Sequence, residues 1–458
     1  MSELHLLTAT ELRHAYATGE LDPGEVLAAH RERIGELEVL NAWLSVWPES
    51  APSAQGRLAG IGVAVKDNFD TAGARTTYAS QVHRDHVPDV DATAVTRLRE
   101  AGATILGKTH LHEYALGVTN ENAFHGDCLN PHDHERTPGG SSGGSAVAVA
   151  TGMACVALGS DTSGSIRIPA AACGVVGLKP TYGRVGKSGC FPEAWSLDHV
   201  GPLTRSVADA ALMLDVLSGH DPTDPASLPL PPTELASLEI PEDLQGVRVG
   251  IEQDFFLADV DPRVRQVTDQ AIARLVDLGA ELFEVSLPTL TDAIWALTII
   301  DTAETAAAHR TLMRTHRDDY GDDVRVLIEC GELPSAVDYL QAQQVRTLVQ
   351  RDFARVFGQV DALVSPTLSI LPPKRGQATV PVAGQDRETS AELMRLIGPA
   401  NLAGLPALSL PAGVIEEDGA SLPTGLHLMA APRREDQLIM IGGALEASLA
   451  GQLGERRV

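Results

Sequence analysis

The chain has 458 residues, 44% of them hydrophobic and 21% charged, with 42 Gly and 28 Pro, a globular composition long enough to build a large core. Its 35 Lys and Arg against 61 Asp and Glu leave a formal charge of −26, which repels phosphate backbones and argues against direct nucleic-acid binding. The most apolar run, 146–158, is shorter than the roughly 20 residues that span a bilayer and is broken by Gly152, so no membrane partner is expected.

Residues 7–38 are predicted helical, with Leu12, Ala15, Val26, Ala29 and Ile34 between charged positions, inside an N-terminal helical stretch of about 7–50. The start Met1-Ser2-Glu3-Leu4-His5 lacks the basic and then apolar build of a signal peptide. A strand is predicted at 61–65, an amphipathic helix at 93–101 and a strand at 103–106. A small-residue helix follows at 143–151 and a strand at 154–158. Further on come a strand at 247–251, a helix at 264–278 and short strands at 362–364 and 407–410. Such alternation argues for an α/β sheet covered on both faces. Segments 220–242 and 372–390 read as surface connections, and about 290–357 as a helical insertion in one domain, 1–458, whose core is about 60–215. The five cysteines (Cys128, Cys155, Cys173, Cys190 and Cys330) are scattered without CxxC spacing, which fits a reducing, cytoplasmic setting.

Two glycine- and serine-rich loops interrupt this pattern. The first runs Thr137-Pro138-Gly139-Gly140-Ser141-Ser142-Gly143-Gly144-Ser145, the second Gly159-Ser160-Asp161-Thr162-Ser163-Gly164-Ser165 and on into Ile166-Arg167-Ile168-Pro169. Glycines admit tight turns and let a substrate approach bare N–H groups, so loops whose serines 141 and 165 lie 24 positions apart can form two walls of one site. A serine nucleophile needs a base and oxyanion donors. The backbone N–H groups of Thr162, Ser163, Gly164 and Ser165 can converge on a carbonyl oxygen. A helix starting just after Ser165, with Pro169 suited to its first turn, would add its positive end. Read alone, the second loop also fits a polar surface turn.

For the base, His199 beside Asp198 is one candidate, and Lys66 is another. In Gly62-Val63-Ala64-Val65-Lys66 the lysine lies opposite the valine face at a strand end among small apolar residues. Burial there would lower an amine from about 10.4 to about 7–8. A solvated strand-end lysine fits the same residues.

Taken together, Lys66 in GVAVKDN, then TPGGSSGGSAVAVATG and LGSDTSGSIRIPAAACGVVGLKPTYGRV, resemble the amidase signature family. The likeness runs from about residue 8 to residue 445. It includes GATILGKTHLHEYALG, SLDHVGPLTRSVADAALML, SPT at 365–367 and NLAGLPALSLPAG at 401–413. The 75-residue Lys-to-Ser interval and the 24-residue Ser-to-Ser interval agree with the family pattern. The resemblance implies a mixed β-sheet sandwiched between α-helices in one domain, and an amidase cleaving a C–N bond of an amide, carbamate or urea-like substrate. It implies a Ser–cisSer–Lys triad: Ser165 as nucleophile, Ser141 as relay after a cis bond from Gly140, and Lys66 as base. Thr162, Ser163, Gly164 and Ser165 would form the oxyanion hole, with Gly140, Ser142 and Arg167 as supports; for Arg167 an ordinary structural salt bridge is equally compatible. No metal or cofactor is implied. The partner is a small-molecule amide, and a homodimer is compatible with the pattern.

Many family members carry Gly-Gly before the nucleophile, where this chain has Ser163-Gly164. Positions that grip glutamine in glutaminase-type members fall near Leu327 and Met394, both apolar, which favours a less polar acyl group. Phe191 and Trp195, in Phe191-Pro192-Glu193-Ala194-Trp195-Ser196, are expected at the acyl pocket, with a core role open for Trp195. Three alternatives stand beside this reading. One is a glutaminase-type subunit of a tRNA-dependent amidotransferase. Another is a metal-dependent hydrolase using His110 and His112 with His132, Asp133 or His134. The last is a phosphate-binding loop at Gly139-x4-Gly144-Ser145, which lacks the lysine such a loop requires.

Overall fold

Alternation along residues 62–66 decides how the central sheet faces its two covering layers. Val63 and Val65 pack into one core layer with Val156, Leu158 and Val200, whereas Ala64 faces the other with Ala157, Leu106 and Ala146. Lys66 therefore points to the side occupied by the small-residue helix Gly143–Ala150. A computed structural model of the chain describes residues 4–48 and 51–453. Residues 1–3 and 454–458 of the expected 1–458 span, and 49–50 of the expected N-terminal stretch, lie outside the described residues.

The strands are β1 (Trp43–Val46), β2 (Gly62–Lys66), β3 (Thr104–Thr109), β4 (Val156–Asp161), β5 (Val176–Lys179), β6 (His199–Thr204), β7 (Arg248–Ile251), β8 (Glu281–Glu284), β9 (Ala362–Pro366), β10 (Thr379–Val382), β11 (Gln385–Glu388), β12 (Ala407–Glu417) and β13 (Ala420–Met429). Eleven of them form one sheet in the order β1-β3-β2-β4-β6-β5-β12-β13-β9-β7-β8. β2 runs parallel to β3 and β4, β7 parallel to β8 and β9, and the strands between are antiparallel, so the sheet is mixed. Helices cover both faces, as expected. The carboxyl ends of the parallel neighbours β2 and β4, paired at Val65 and Leu158, place Lys66 beside the end of β4. Crevices at such strand ends are where α/β sheets bind ligands. Among the described residues, no helix is long and apolar enough to cross a membrane.

Several expectations need correction. The helix predicted at 7–38 is two helices, Ala9–Thr18 and Pro23–Glu36. Gly19 ends the first in a left-handed conformation, and Asp22 caps the second, with Pro23 in its first turn. The stretch 7–50 also holds β1, an edge strand on β3. The supposed connection 372–390 contains the hairpin β10–β11, which forms a sheet of its own. The insertion is helical, with Leu290–His316, Asp322–Cys330 and Ala336–Val356.

β3 runs to Thr109, beyond the expected 106. Val63 pairs with Ile105 but Ala64 pairs with Gly107, so Leu106 is an extra residue and the strand bulges. Gly107 has φ 154, and a Cβ there would lie 2.1 Å from the Ser45 carbonyl oxygen of β1. The bulge resets the register so that Thr109 pairs with Lys66 and reaches Ser145 Oγ at 2.8 Å. Gly107→Ala is expected to cost about 2 kcal/mol or more of stability, because the obstruction is backbone that cannot turn aside. Chemical denaturation checks this, and a loss within about 0.5 kcal/mol would contradict it.

Candidate active site

Lys66 is fully buried at the end of β2, with Nζ 2.8 Å from Ser141 Oγ and 2.9 Å from Ser160 Oγ. Asn68 Nδ2 donates to the same Ser160 oxygen at 2.9 Å. Burial lowers the Lys66 pKa to about 8, against the opposing charges of Glu193, Cys190, Asp161 and Asp198. Ser160 stood in the quoted loop, yet only the strand pairing of β2 with β4 reveals that it holds the lysine. Ser141 follows the expected cis peptide bond from Gly140.

The second loop is wrapped around one carboxylate. Asp161 Oδ1 accepts from the Gly164 N–H at 2.9 Å, Arg167 Nη2 at 3.0 Å and Asn401 Nδ2 at 2.8 Å. Its Oδ2 accepts from the Ile166 N–H at 3.1 Å and Arg167 Nε at 3.0 Å. Burial alone would raise this group, but the Arg167 guanidinium, with Lys179 and Asn401, holds it well below the usual carboxylate range. Arg167, also fully buried, donates further to the Ile397 carbonyl and Asn401 Oδ1. It is thus both a structural ion pair and a support of the loop. Gly164, at φ 130, lies where a Cβ would meet Ile397 Cδ1 at 2.2 Å. The helix after the loop is only Arg167–Cys173. The Ser142 N–H donates to the Ser165 carbonyl at 3.1 Å and Ser142 Oγ to the Ser160 carbonyl at 3.1 Å, so the two loops are tied together.

Acidic side chains surround the preceding residues. Thr162 Oγ1 lies 2.8 Å from Glu193 Oε2 and 2.7 Å from Asp198 Oδ1, and Ser163 Oγ donates to Asp301 Oδ2 at 3.0 Å. Burial raises Asp301 to about 7, with Asp198 and Glu304 adding to it against the Ser163 hydrogen bond. Burial, then the charges of Asp301 and Asp198, push Glu193 well above its ordinary value. None of these roles was visible in the sequence, because Asp301 arrives from 138 residues beyond Ser163.

Comparison with known proteins places this geometry. The Amidase family model matches residues 39–439. The chain belongs to the amidase family. A glutamyl-tRNA(Gln) amidotransferase subunit from Halothermothrix orenii is 38% identical, over 98% of each chain. A chain of an inhibitor-bound vestigial protein complex, described as revealing the origins of an s-triazine catabolic enzyme, superposes with a TM-score of 0.91 at 31% identity, over 96% of this chain and 98% of that one. The 6-aminohexanoate cyclic dimer hydrolase with its substrate gives 0.88 at 28% identity, over 98% of each. The protein is accordingly a hydrolase of carbon–nitrogen bonds in amides other than peptide bonds.

The remaining candidates of this amidase sort by their contacts. Phe191 packs on Tyr78, Tyr114 and His309, with ring centroids 4.8, 4.8 and 5.2 Å away, and its N–H donates to the Asn68 carbonyl. Trp195 is 53% exposed, its ring 5.5 Å from Lys187 Nζ, so it lies at the surface rather than in a core. Leu327 is an exposed residue of the helix Asp322–Cys330, which turns Val324 and Ile328 inward. Met394 packs in the cluster of Ile168 and Ile397. Both ring nitrogens of His110 are engaged, by Asn120 Nδ2 at 2.9 Å and the Gly126 carbonyl at 2.8 Å, and burial lowers its pKa to about 4. His112 faces Asp323 at 3.0 Å. His110 therefore has no lone pair left to offer a metal, and no group of three or more His, Cys, Asp or Glu placed to hold one occurs among the described residues. His199 Nδ1 is bound to the Leu197 carbonyl, and its ring packs on Tyr182.

Asp161→Asn would leave the buried Arg167 guanidinium without its counter-charge. The expected cost is about 3–5 kcal/mol, read as a lower urea midpoint. A change below about 1 kcal/mol would show that the pair does not hold the loop.

Proposed function

We propose that this amidase works through an acyl-enzyme on Ser165, with Ser141 as proton relay and Lys66 as general base, on small amides or their carbamate and urea-like relatives. The buried 2.8 Å contact between Lys66 Nζ and Ser141 Oγ carries the reading. An amine of pKa about 8 is partly neutral at pH 7–8, and its lone pair can accept the Ser141 proton. Ser141 Oγ takes the Ser165 proton as Ser165 Oγ attacks the carbonyl carbon. The oxyanion is received by the N–H groups of Thr162, Ser163 and Ser165. The Gly164 N–H, expected among them, donates to Asp161 instead. As the C–N bond breaks, the Lys66 ammonium returns its proton through Ser141 to the leaving amine. Water then repeats the sequence and releases the carboxylate. The five cysteines are free, which supports a reducing, cytoplasmic setting.

A second reading, a glutaminase-type subunit of a tRNA-dependent amidotransferase, is favoured by the full-length match to the Halothermothrix orenii protein. Co-purification of a second subunit with glutaminase activity would support it. Robust hydrolysis of aryl amides by the lone chain would count against it.

Ser165→Ala is expected to lower kcat about 10⁴-fold or more, and fluorophosphonates should label Ser165, with mass spectrometry of the adduct deciding. Lys66→Ala should lower kcat/KM about 10²- to 10⁴-fold, most severely near neutral pH. In the wild type, kcat/KM should rise with pH and level off above about 8, because below that value Nζ is protonated and cannot accept a proton. A pH–rate profile keeping this limb in Lys66→Ala would remove the lysine from its role.

A further inference from the structure

Asp301 belongs to the helix Leu290–His316, yet it reaches the loop that carries Ser165 and accepts from Ser163 Oγ through Oδ2. Its other oxygen, Oδ1, is buried and has no hydrogen-bond partner. A buried carboxylate oxygen without a donor is costly, and native structures rarely keep one without a reason. The neighbouring acids cannot supply the missing donor. The single Thr162 hydroxyl proton serves only one of its two carboxylate contacts. Asp198 already accepts the N–H groups of Glu193 and Ala194 at 3.1 Å each. Thr162 Oγ1 is directed to Asp198 Oδ1 at 2.7 Å and Glu193 Oε2 at 2.8 Å, so its hydroxyl is engaged away from Asp301. Among the described residues, no lysine, arginine or histidine lies within ion-pair distance of Asp301. The place thus lacks a positively charged donor, two residues before the nucleophile.

We propose that Asp301, oriented by Ser163, determines specificity by binding a positively charged nitrogen, such as an ammonium, on the acyl group of the substrate. This rests on the reading of Ser165 as nucleophile. Ser163 stands where many family members have glycine, and its hydroxyl is what fixes the Asp301 carboxylate. A substrate ammonium would give Oδ1 its donor and a counter-charge.

The test uses p-nitroanilides in isosteric pairs: alanyl against isobutyryl, 4-aminobutyryl against pentanoyl, and 5-aminopentanoyl against hexanoyl. At pH 8 the wild type should favour the ammonium member of at least one pair tenfold or more in kcat/KM, mainly through KM. Asp301→Asn should bring that ratio to about one, and Ser163→Ala should lower it threefold or more. Preference for the neutral member in every pair, or a wild-type ratio retained in Asp301→Asn, would overturn the proposal. If the ratio followed Asp301 while fluorophosphonate labelled a residue other than Ser165, the catalytic reading would fail and the specificity reading would stand.

Discussion

The pair formed by Asp161 and Arg167 fixes the turn between β4 and the following short helix, and both side chains are wholly removed from water. Burying two charges is expensive, and attraction between them seldom repays it unless the remaining donors and acceptors are also satisfied. Here they are. Two backbone N–H groups, Asn401 and the Nε and Nη2 groups of the guanidinium converge on the carboxylate, while Arg167 Nη1 is taken up by Ile397 and His427 and Nη2 also reaches Asn401. Ser165 sits between the two partners in sequence, so the loop has little freedom that this network does not remove. The Ser142 N–H passes that rigidity to the first loop through the Ser165 carbonyl.

Around this fixed turn, burial acts on acids and bases in opposite senses with the same result. It lowers Lys66 toward the neutral amine and raises Glu193 and Asp301 toward the neutral acid. The exception is Asp161, which keeps its charge because a dedicated cation stands against it. The site therefore holds one permanent ion pair, with Lys66 and Asp301 near the boundary between charged and uncharged forms. Such groups exchange protons at little cost, as proton-transfer chemistry requires.

What could be read from the sequence follows the same division. β2, β3 and β4 stood out because apolar runs such as Ile61–Val65 are bounded by glycine and polar residues, and the two loops because their composition is unusual. β8 was missed since Glu281–Glu284 is exposed along its whole length, and the β10–β11 hairpin because Gln385–Glu388 has no apolar side to signal a strand. The Gly107 bulge extended β3 by a mechanism that alternation does not reveal. Lys66, Ser141 and Ser165 stood out through family likeness, and folding brings Lys66 and Ser141 into contact. Asp161, Asn401 and Asp301 did not, since each acts on partners that only folding brings near: Asn401 lies 240 positions from Asp161. Gly164 illustrates the opposite error, a donor expected from its position but already committed to a neighbour.

The helix Leu290–His316 packs with Ala336–Val356 through Ala293, Ala296, Leu297, Ile300, Ala342, Val349 and Phe353, in a core that also takes in Leu363, Ala407 and Met429 of the sheet. It meets the loop that carries Ser165 through the hydrogen bond between Ser163 and Asp301. The turn at Asp161 is thus held at the end of β4, whereas the Ser163 side chain is held by a helix packed on β9, β12 and β13. On the specificity proposed for Asp301, substitutions along that helical face would change what binds beside Ser163 without touching the buried pair of Asp161 and Arg167.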